Sequence, residues 1–219
     1  MSFTLPLFPL QTVLFPGTPL YLHIFEERYK LMIRNCLEMD RRFGVVLLRH
    51  GSEVGKTGES YPIGCTARIV HIEPLDEGKM NIVALGEQRF ITLSMDLGQD
   101  FPVGEVEVLD LERTLDDITF KNTAILSHQI TDYLKLINKV KPGTLDLKRL
   151  RLPSEPVALA YLSASLLQIP PSEKQNLLCA DSDTDLMDLT QKLYRRETTV
   201  TRSLIGVTQQ DAMRTSRLN

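Results

Sequence analysis

Gly51-Ser52-Glu53-Val54-Gly55-Lys56-Thr57 is the stretch that comes nearest to phosphate chemistry in this 219-residue sequence. A phosphate-binding loop needs Gly, four residues, then Gly-Lys-Ser/Thr, so that successive N–H groups wrap the anion. Here three residues separate the glycines, and His50 stands where the first Gly should be. Such a loop must also feed a helix N-terminus, but Gly58-Glu59-Ser60-Tyr61-Pro62 follows, which reads as hairpin loop. Four histidines, His23, His50, His71 and His128, are scattered. His71 and Glu73 share one face of a strand pattern, but two ligands do not hold a metal. Cys36, Cys65 and Cys179 form no CxxC pair and read as single buried or half-buried thiols. No Gly-x-Ser-x-Gly elbow occurs, and Ser163 and Ser165 sit between apolar residues in a helical pattern, where small side chains serve packing. No catalytic residue, metal site or cofactor is expected.

Aromatic spacing is the remaining signal. Phe8, Phe15, Tyr21, Phe25 and Tyr29 fall within 22 residues of a chain with 8 Phe, 6 Tyr and no Trp. Two readings stay open. The rings fill a core, or some line an apolar surface for extended or unfolded peptide, where they bury large area at low entropic cost.

The elements that position these residues change character near residue 113. Before it, strands are expected at 5–10, 20–25, 43–48, 67–74, 80–85 and 103–109. Residues 64–93 read as one hairpin turning at Asp76-Glu77-Gly78, with a bulge or break at Gly86. Phe15-Pro16-Gly17 supplies a turn. A helix over 26–39 carries Tyr29, Met32, Ile33, Cys36 and Leu37 on one face. Six or so short strands indicate a small barrel or sandwich. After residue 113 the period becomes helical. Helices are expected from Asp116 or Asp117 to about Asn138 and over 155–169 behind Ser154. A short one follows, with Ser172 and Gln175 as a capping box, and Asp183 caps a last one. The polar stretch 197–219 is left open between an ordered segment and a flexible arm.

Charge excludes some partners. Residues 1–112 carry 10 basic and 16 acidic side chains, net −6; residues 113–219 carry 15 and 12, net +3. The acidic half lacks the footprint of a nucleic-acid binder. The longest apolar run, Val157 to Leu162, is far below the ~20 residues of a membrane helix. The unpaired thiols and the absence of a signal-peptide pattern point to a cytoplasmic protein with no membrane partner.

Leu5-Pro6-Leu7-Phe8-Pro9-Leu10, then Val13-Leu14-Phe15-Pro16-Gly17, closely resembles the start of the substrate-binding N-terminal domain of ATP-dependent Lon proteases. Ile63-Gly64-Cys65-Thr66-Ala67-Arg68-Ile69 and Ala84-Leu85-Gly86-Glu87-Gln88-Arg89-Phe90 resemble two later strands of that family. Leu162 to Leu167 with Ser172 to Gln175 resembles its helical part. The likeness runs over about residues 5–196. It implies an α+β fold, a PUA-like β-barrel (a pseudobarrel) over 1–112 followed by an α-helical bundle over 113–196, with 197–219 as a tail. The ATPase and peptidase modules of a complete Lon protease have no counterpart in the sequence, so a stand-alone, non-enzymatic N-domain protein is expected.

The resemblance implies a module that recognises polypeptide segments of client proteins. Its expected contacts are Phe15, Tyr21, Phe25, Tyr29 and Leu31, with Glu27 and Arg28 as polar rim. The rival expectations are RNA binding through a basic patch at Lys148, Arg149 and Arg151, docking of a specific protease or other protein partner, self-association, and hydrolysis.

Overall fold

The computed structural model describes residues 1–49, 59–113, 117–141 and 151–216. The near-miss phosphate loop at 51–57 and the basic residues Lys148 and Arg149 lie outside the described residues.

The chain divides into two compact units, residues 1–112 with 164–181, and residues 113–163 with 182–219. Residues 164–181, expected within the helical bundle over 113–196, fall in the first unit.

The first unit is built on β1 (Ser2–Leu10), β2 (Pro19–Ile24), β3 (Arg42–Leu48), β4 (Ser60–Pro74), β5 (Met80–Asp96) and β6 (Val103–Val108), with α1 (Glu27–Glu38) between β2 and β3. They form one mixed sheet in the order β2-β5-β4-β3-β1-β6, and β5 also pairs with β6. The β1–β3 pair is parallel, Leu7 opposite Gly44, and the others are antiparallel. The circuit β5-β4-β3-β1-β6-β5 thus returns on itself, while β2 hangs outside it, bonded among the described strands to β5 alone. This is the expected pseudobarrel rather than a regular barrel. Its core joins Phe8 and Leu10 of β1, Ile24, Phe43, Ile69 and Ile82 to Tyr29, Met32, Ile33 and Cys36 of α1.

The expected hairpin is present, and its tip is a 3₁₀ turn at Asp76–Gly78 with Glu77 at φ 58° and Gly78 at φ 68°. Its irregularity falls beside Gly86. Cys65 opposes Arg89 and Ala67 opposes Gly86, so β5 spends one extra residue there. A Cβ on Gly86 would lie 2.2 Å from the Phe15 carbonyl oxygen, which leaves only Gly able to fill the position.

That close approach is a second bulge. The Gly17 N–H donates to the Gly86 carbonyl at 2.8 Å, and the Gly86 N–H donates to the Thr18 carbonyl at 3.0 Å. Gly17 sits at φ 74°. A positive-φ Gly followed by a second residue against one partner is the G1 bulge. The Phe15-Pro16-Gly17-Thr18 turn leads into it, closed by Thr18 N–H to Phe15 O at 3.2 Å.

Residues 164–181 carry the end of α3 (Pro156–Leu166) and α4 (Pro171–Leu178). Arg89 of β5 fastens this segment. Its buried guanidinium donates to the carbonyls of Leu178, Ala180 and Asp110 at 2.8, 2.5 and 2.7 Å. Gln175, also buried, donates from Nε2 to the Ile63 carbonyl at 2.8 Å.

The boundaries of α3 and α4 differ from the sequence reading. Helix α4 starts at Pro171, so Ser172 is not its cap. Proline needs no partner for an N–H it lacks, so it opens the helix itself, and Gln175 is spent on the sheet. Glu155 rather than Ser154 caps α3, accepting from the Ala158 N–H at 2.5 Å. The same helix ends at Leu166, where the Lys174 ammonium takes the Ser165 carbonyl at 2.7 Å. Burial pulls that lysine below its ordinary pKa.

The second unit centres on α2 (Asp117–Val140) and α5 (Asp183–Ser216), which pack together. Leu126, Ile130, Tyr133 and Leu134 of α2 and Leu186, Met187 and Tyr194 of α5 are buried. The Tyr133 and Tyr194 rings meet edge to face, centroids 5.3 Å apart. The Tyr194 hydroxyl donates to the Ser163 carbonyl at 2.9 Å. Ser182 caps α5, accepting from the Asp185 N–H at 3.1 Å, in place of the expected Asp183. The stretch left open at 197–219 continues α5 to Ser216. Among the described residues no helix is long and apolar enough to cross a membrane.

Candidate functional site

The site grows from β2 and the loop into α1. β2 alternates exposed Pro19, Tyr21 and His23 with partly buried Leu20 and Leu22, ending on buried Ile24. Tyr21 is 74% exposed, Phe25 49% and Leu31 of α1 37%. The His23 and Phe25 rings stack at 5.9 Å between centroids, 23° from parallel. Between β2 and the core lies a cavity of about 230 Å³, floored by Phe8, Leu10, Ile24 and Tyr29.

The structure separates the expected contacts into two groups. Tyr21, Phe25 and Leu31 reach the surface. Phe15 is 0% exposed and Tyr29 3%. Phe15 is held inside because its carbonyl anchors the turn, accepting from the Thr18 hydroxyl at 2.8 Å. Tyr29 stacks on Phe8 with centroids 4.0 Å apart and carries the Arg28 guanidinium 4.4 Å above its ring. These two rings are core, as the packing reading of the aromatics had it; Tyr29 also forms part of the cavity floor.

The polar rim is already paired. Glu27 meets the Lys30 ammonium at 2.5 Å, and Lys30, itself buried, donates to the Glu77 carbonyl at 3.0 Å. This pins α1 over the hairpin tip. Arg28 meets Glu26 at 3.1 Å. A ligand reaching these residues therefore exchanges existing ion pairs rather than filling vacant ones.

In the sequence His23 stands only as one of four scattered histidines. Here it opens a cross-strand row: His23 Nδ1 lies 2.8 Å from Asn81 Oδ1, and Asn81 Nδ2 donates to Glu73 at 2.9 Å. The strand-face reading of His71 and Glu73 agrees with their exposed positions on β4. The signal that could have found His23 was the Tyr21-x-His23-x-Phe25 spacing, which repeats every second residue along β2.

The thiols are free. Cys36 and Cys65 are buried and Cys179 is half-buried. Burial pushes Cys36 up to about 12 and raises Cys65 and Cys179 as well.

This fold, a strand circuit carrying one helix and joined by helical segments, is shared with solved structures. A Lon N-terminal domain protein from Xanthomonas campestris superposes with a TM-score of 0.61 at 23% identity, over 83% of this chain and 92% of that one. The N-terminal domain of a Mycobacterium avium complex Lon protease gives 0.60 at 17% identity, over 88% and 98%. The family model for the ATP-dependent protease La (LON) substrate-binding domain matches residues 4–195, and the chain belongs to that family. A Lon protease of Anaeromyxobacter dehalogenans is 25% identical over 177 residues, 80% of this chain and 21% of that protein. A LON peptidase N-terminal domain and RING finger protein of Schizosaccharomyces pombe is 34% identical over 94 residues, 37% of this chain and 19% of that protein. The chain spans about a fifth of the length of the curated relatives it matches.

Proposed function

We propose that the chain is a non-catalytic module that recognises polypeptide segments, through Tyr21 and Phe25 beside the apolar cavity and Leu31 exposed on α1. One observation carries the reading: Tyr21 and Phe25 stand exposed beside a cavity whose floor is aromatic and aliphatic. Large side chains that face water next to unfilled apolar space gain by burying against a partner. Membership of the substrate-binding family supports the same role. Glu27 and Arg28 frame the surface as exchangeable ion pairs, and free thiols fit a reducing, cytoplasmic setting.

The test is binding of a fluorescein-labelled, reduced and carboxymethylated client protein, followed by anisotropy. Tyr21→Asp with Phe25→Asp is expected to weaken binding at least tenfold while the circular dichroism spectrum holds. Equal binding by the wild type and the double variant moves the site elsewhere. Release of phosphate from ATP, or cleavage of the client, by protein purified through successive columns would remove the non-catalytic part.

A further inference from the structure

The edge of the sheet beside this patch has its own chemistry. Among the described residues β2 is bonded to β5 alone, and no strand lies on its other edge. The phase of its main-chain groups follows from the G1 bulge. Opposed residues in an antiparallel ladder bond in alternate pairs. The Gly86 N–H to Thr18 O bond places Thr18–Gly86 in a bonded pair. Leu20–Ala84, Leu22–Ile82 and Ile24–Met80 are then the next bonded pairs in the register. The N–H and C=O groups of Tyr21 and His23 consequently point away from β5, to the open edge. Pro19, which lacks an N–H, occupies the outward phase too, where proline costs the ladder nothing.

The cavity lies on that same side. Tyr21, His23, Ile24 and Phe25 line it together with Phe8 and Leu10 of β1, and no residue of β4 or β5 does. An open row of donors and acceptors next to an apolar hole is complementary to one kind of occupant. Its backbone must be extended, with a large apolar side chain on alternate residues.

We propose that polypeptide is bound as an added β-strand on the open edge of β2, pairing with the main chain of Tyr21 and His23 and lodging one aromatic or aliphatic side chain in the cavity. This rests on the reading of the chain as a polypeptide-recognition module and specifies how recognition works. Main-chain pairing gives affinity without regard to sequence, and the cavity adds a preference at one alternate position. The net −6 of residues 1–112 favours segments that carry basic rather than acidic flanks.

The probe is a fluorescein-labelled peptide, Lys-Thr-Val-Thr-Phe-Thr-Val-Thr-Lys, read by anisotropy against the full chain. Two N-methylated versions carry the methyls on the odd or on the even residues. Strand addition uses only one set of peptide N–H groups, so one version is expected to bind at least tenfold more weakly and the other within about threefold of the parent. Tyr21→Pro deletes one outward N–H and should cost at least tenfold, more than Tyr21→Ala. If Tyr21→Pro does not fold, the two methylated peptides decide the matter on the wild type.

Equal weakening by both methylation patterns, or by neither, overturns strand addition. If Phe25→Asp still abolishes binding in that case, the recognition reading stands without it. Absence of binding by all three peptides and by the carboxymethylated client overturns both. A dimer in sedimentation velocity that Tyr21→Pro dissolves and the peptide does not compete with assigns the edge to a second copy, and also overturns the proposal.

Discussion

The two units spend their main-chain hydrogen bonds differently. Helices α2 and α5 of the second unit consume their donors and acceptors internally, so their surfaces can recognise a partner only through side chains. The sheet of the first unit closes its circuit yet, among the described residues, leaves one edge of β2 without a strand. The groove between α2 and α5, lined by His128, Asp132, Tyr194, Arg195 and Arg202, is a surface of the first kind. A protein that must accept many sequences gains from the second kind, since every polypeptide carries the same backbone. The difference teaches where sequence-tolerant recognition is chemically available in this chain.

Arg89 offers the hardest blow to the comparison. Replacing it with Met leaves the carbonyls of Leu178, Ala180 and Asp110 unpaired under the 164–181 segment. The expected cost is about 3–5 kcal/mol in urea unfolding, since each buried orphan acceptor costs roughly 1–3 kcal/mol. A loss below about 1 kcal/mol would mean that the segment does not complete the first unit.

Next comes Gly86→Ala, whose Cβ collides with the Phe15 carbonyl. It should cost about 2–3 kcal/mol, the scale of overpacking in a rigid site. It should also disturb the phase of β2, so peptide binding falls with stability. A variant of normal stability would show that the turn and β5 can separate.

Alkali gives the third. Burial raises the Cys36 pKa from 9.0 to about 12, so the folded state keeps a proton that the unfolded state loses. The contribution to stability is intact below pH 9.0 and declines between 9.0 and about 12, by roughly 1.4 kcal/mol per pH unit for the thiol. Stability of Cys36→Ala measured from pH 9 to 11 should fall less steeply than that of the wild type. Parallel slopes would place Cys36 in contact with water.

Tyr194→Phe probes the second unit. It removes the hydroxyl bonded to the Ser163 carbonyl but keeps the edge-to-face ring contact. About 1 kcal/mol is expected from calorimetry, with peptide binding unchanged. A change in peptide affinity would show that the helical unit takes part. Smallest of all, Tyr21→Ser should move stability by less than about 0.5 kcal/mol, because the ring faces water.

Strand positions were legible because each carries a short apolar or alternating run closed by Gly or Pro. The 26–39 helix was legible from its 3–4 spacing, and it appears at Glu27–Glu38. Arg89 was not. It follows the extra residue in β5, where alternation breaks, so Arg89 and Phe90 are both buried on opposite coverings of one strand. Local pattern does not foresee a segment arriving from residues 164–181.

The helix through 197–216 was hidden by its Thr-rich composition, which favours other structure. The Thr199 and Ser203 hydroxyls instead return to the carbonyls of Arg195 and Thr199 at 2.9 and 3.1 Å and stay within the helix. At the site, exposure followed the alternation for Tyr21 but not for Phe15. The Phe15 ring is drawn inward by a turn whose geometry depends on Gly86, 71 positions further on.

The Arg89 clamp also has a consequence for synthesis. Its three acceptors include two that lie beyond the whole of α2 and α3 in chain order. When residue 112 has emerged from the ribosome, the sheet has all six strands and a guanidinium with two of its three carbonyls still unmade. At roughly 5–20 residues per second, the ~70 residues up to Asp181 take several seconds. For that interval the nascent sheet is uncovered where α4 will lie, and its aromatic edge is open. The chain that we read as a receptor for exposed polypeptide begins its own life as one.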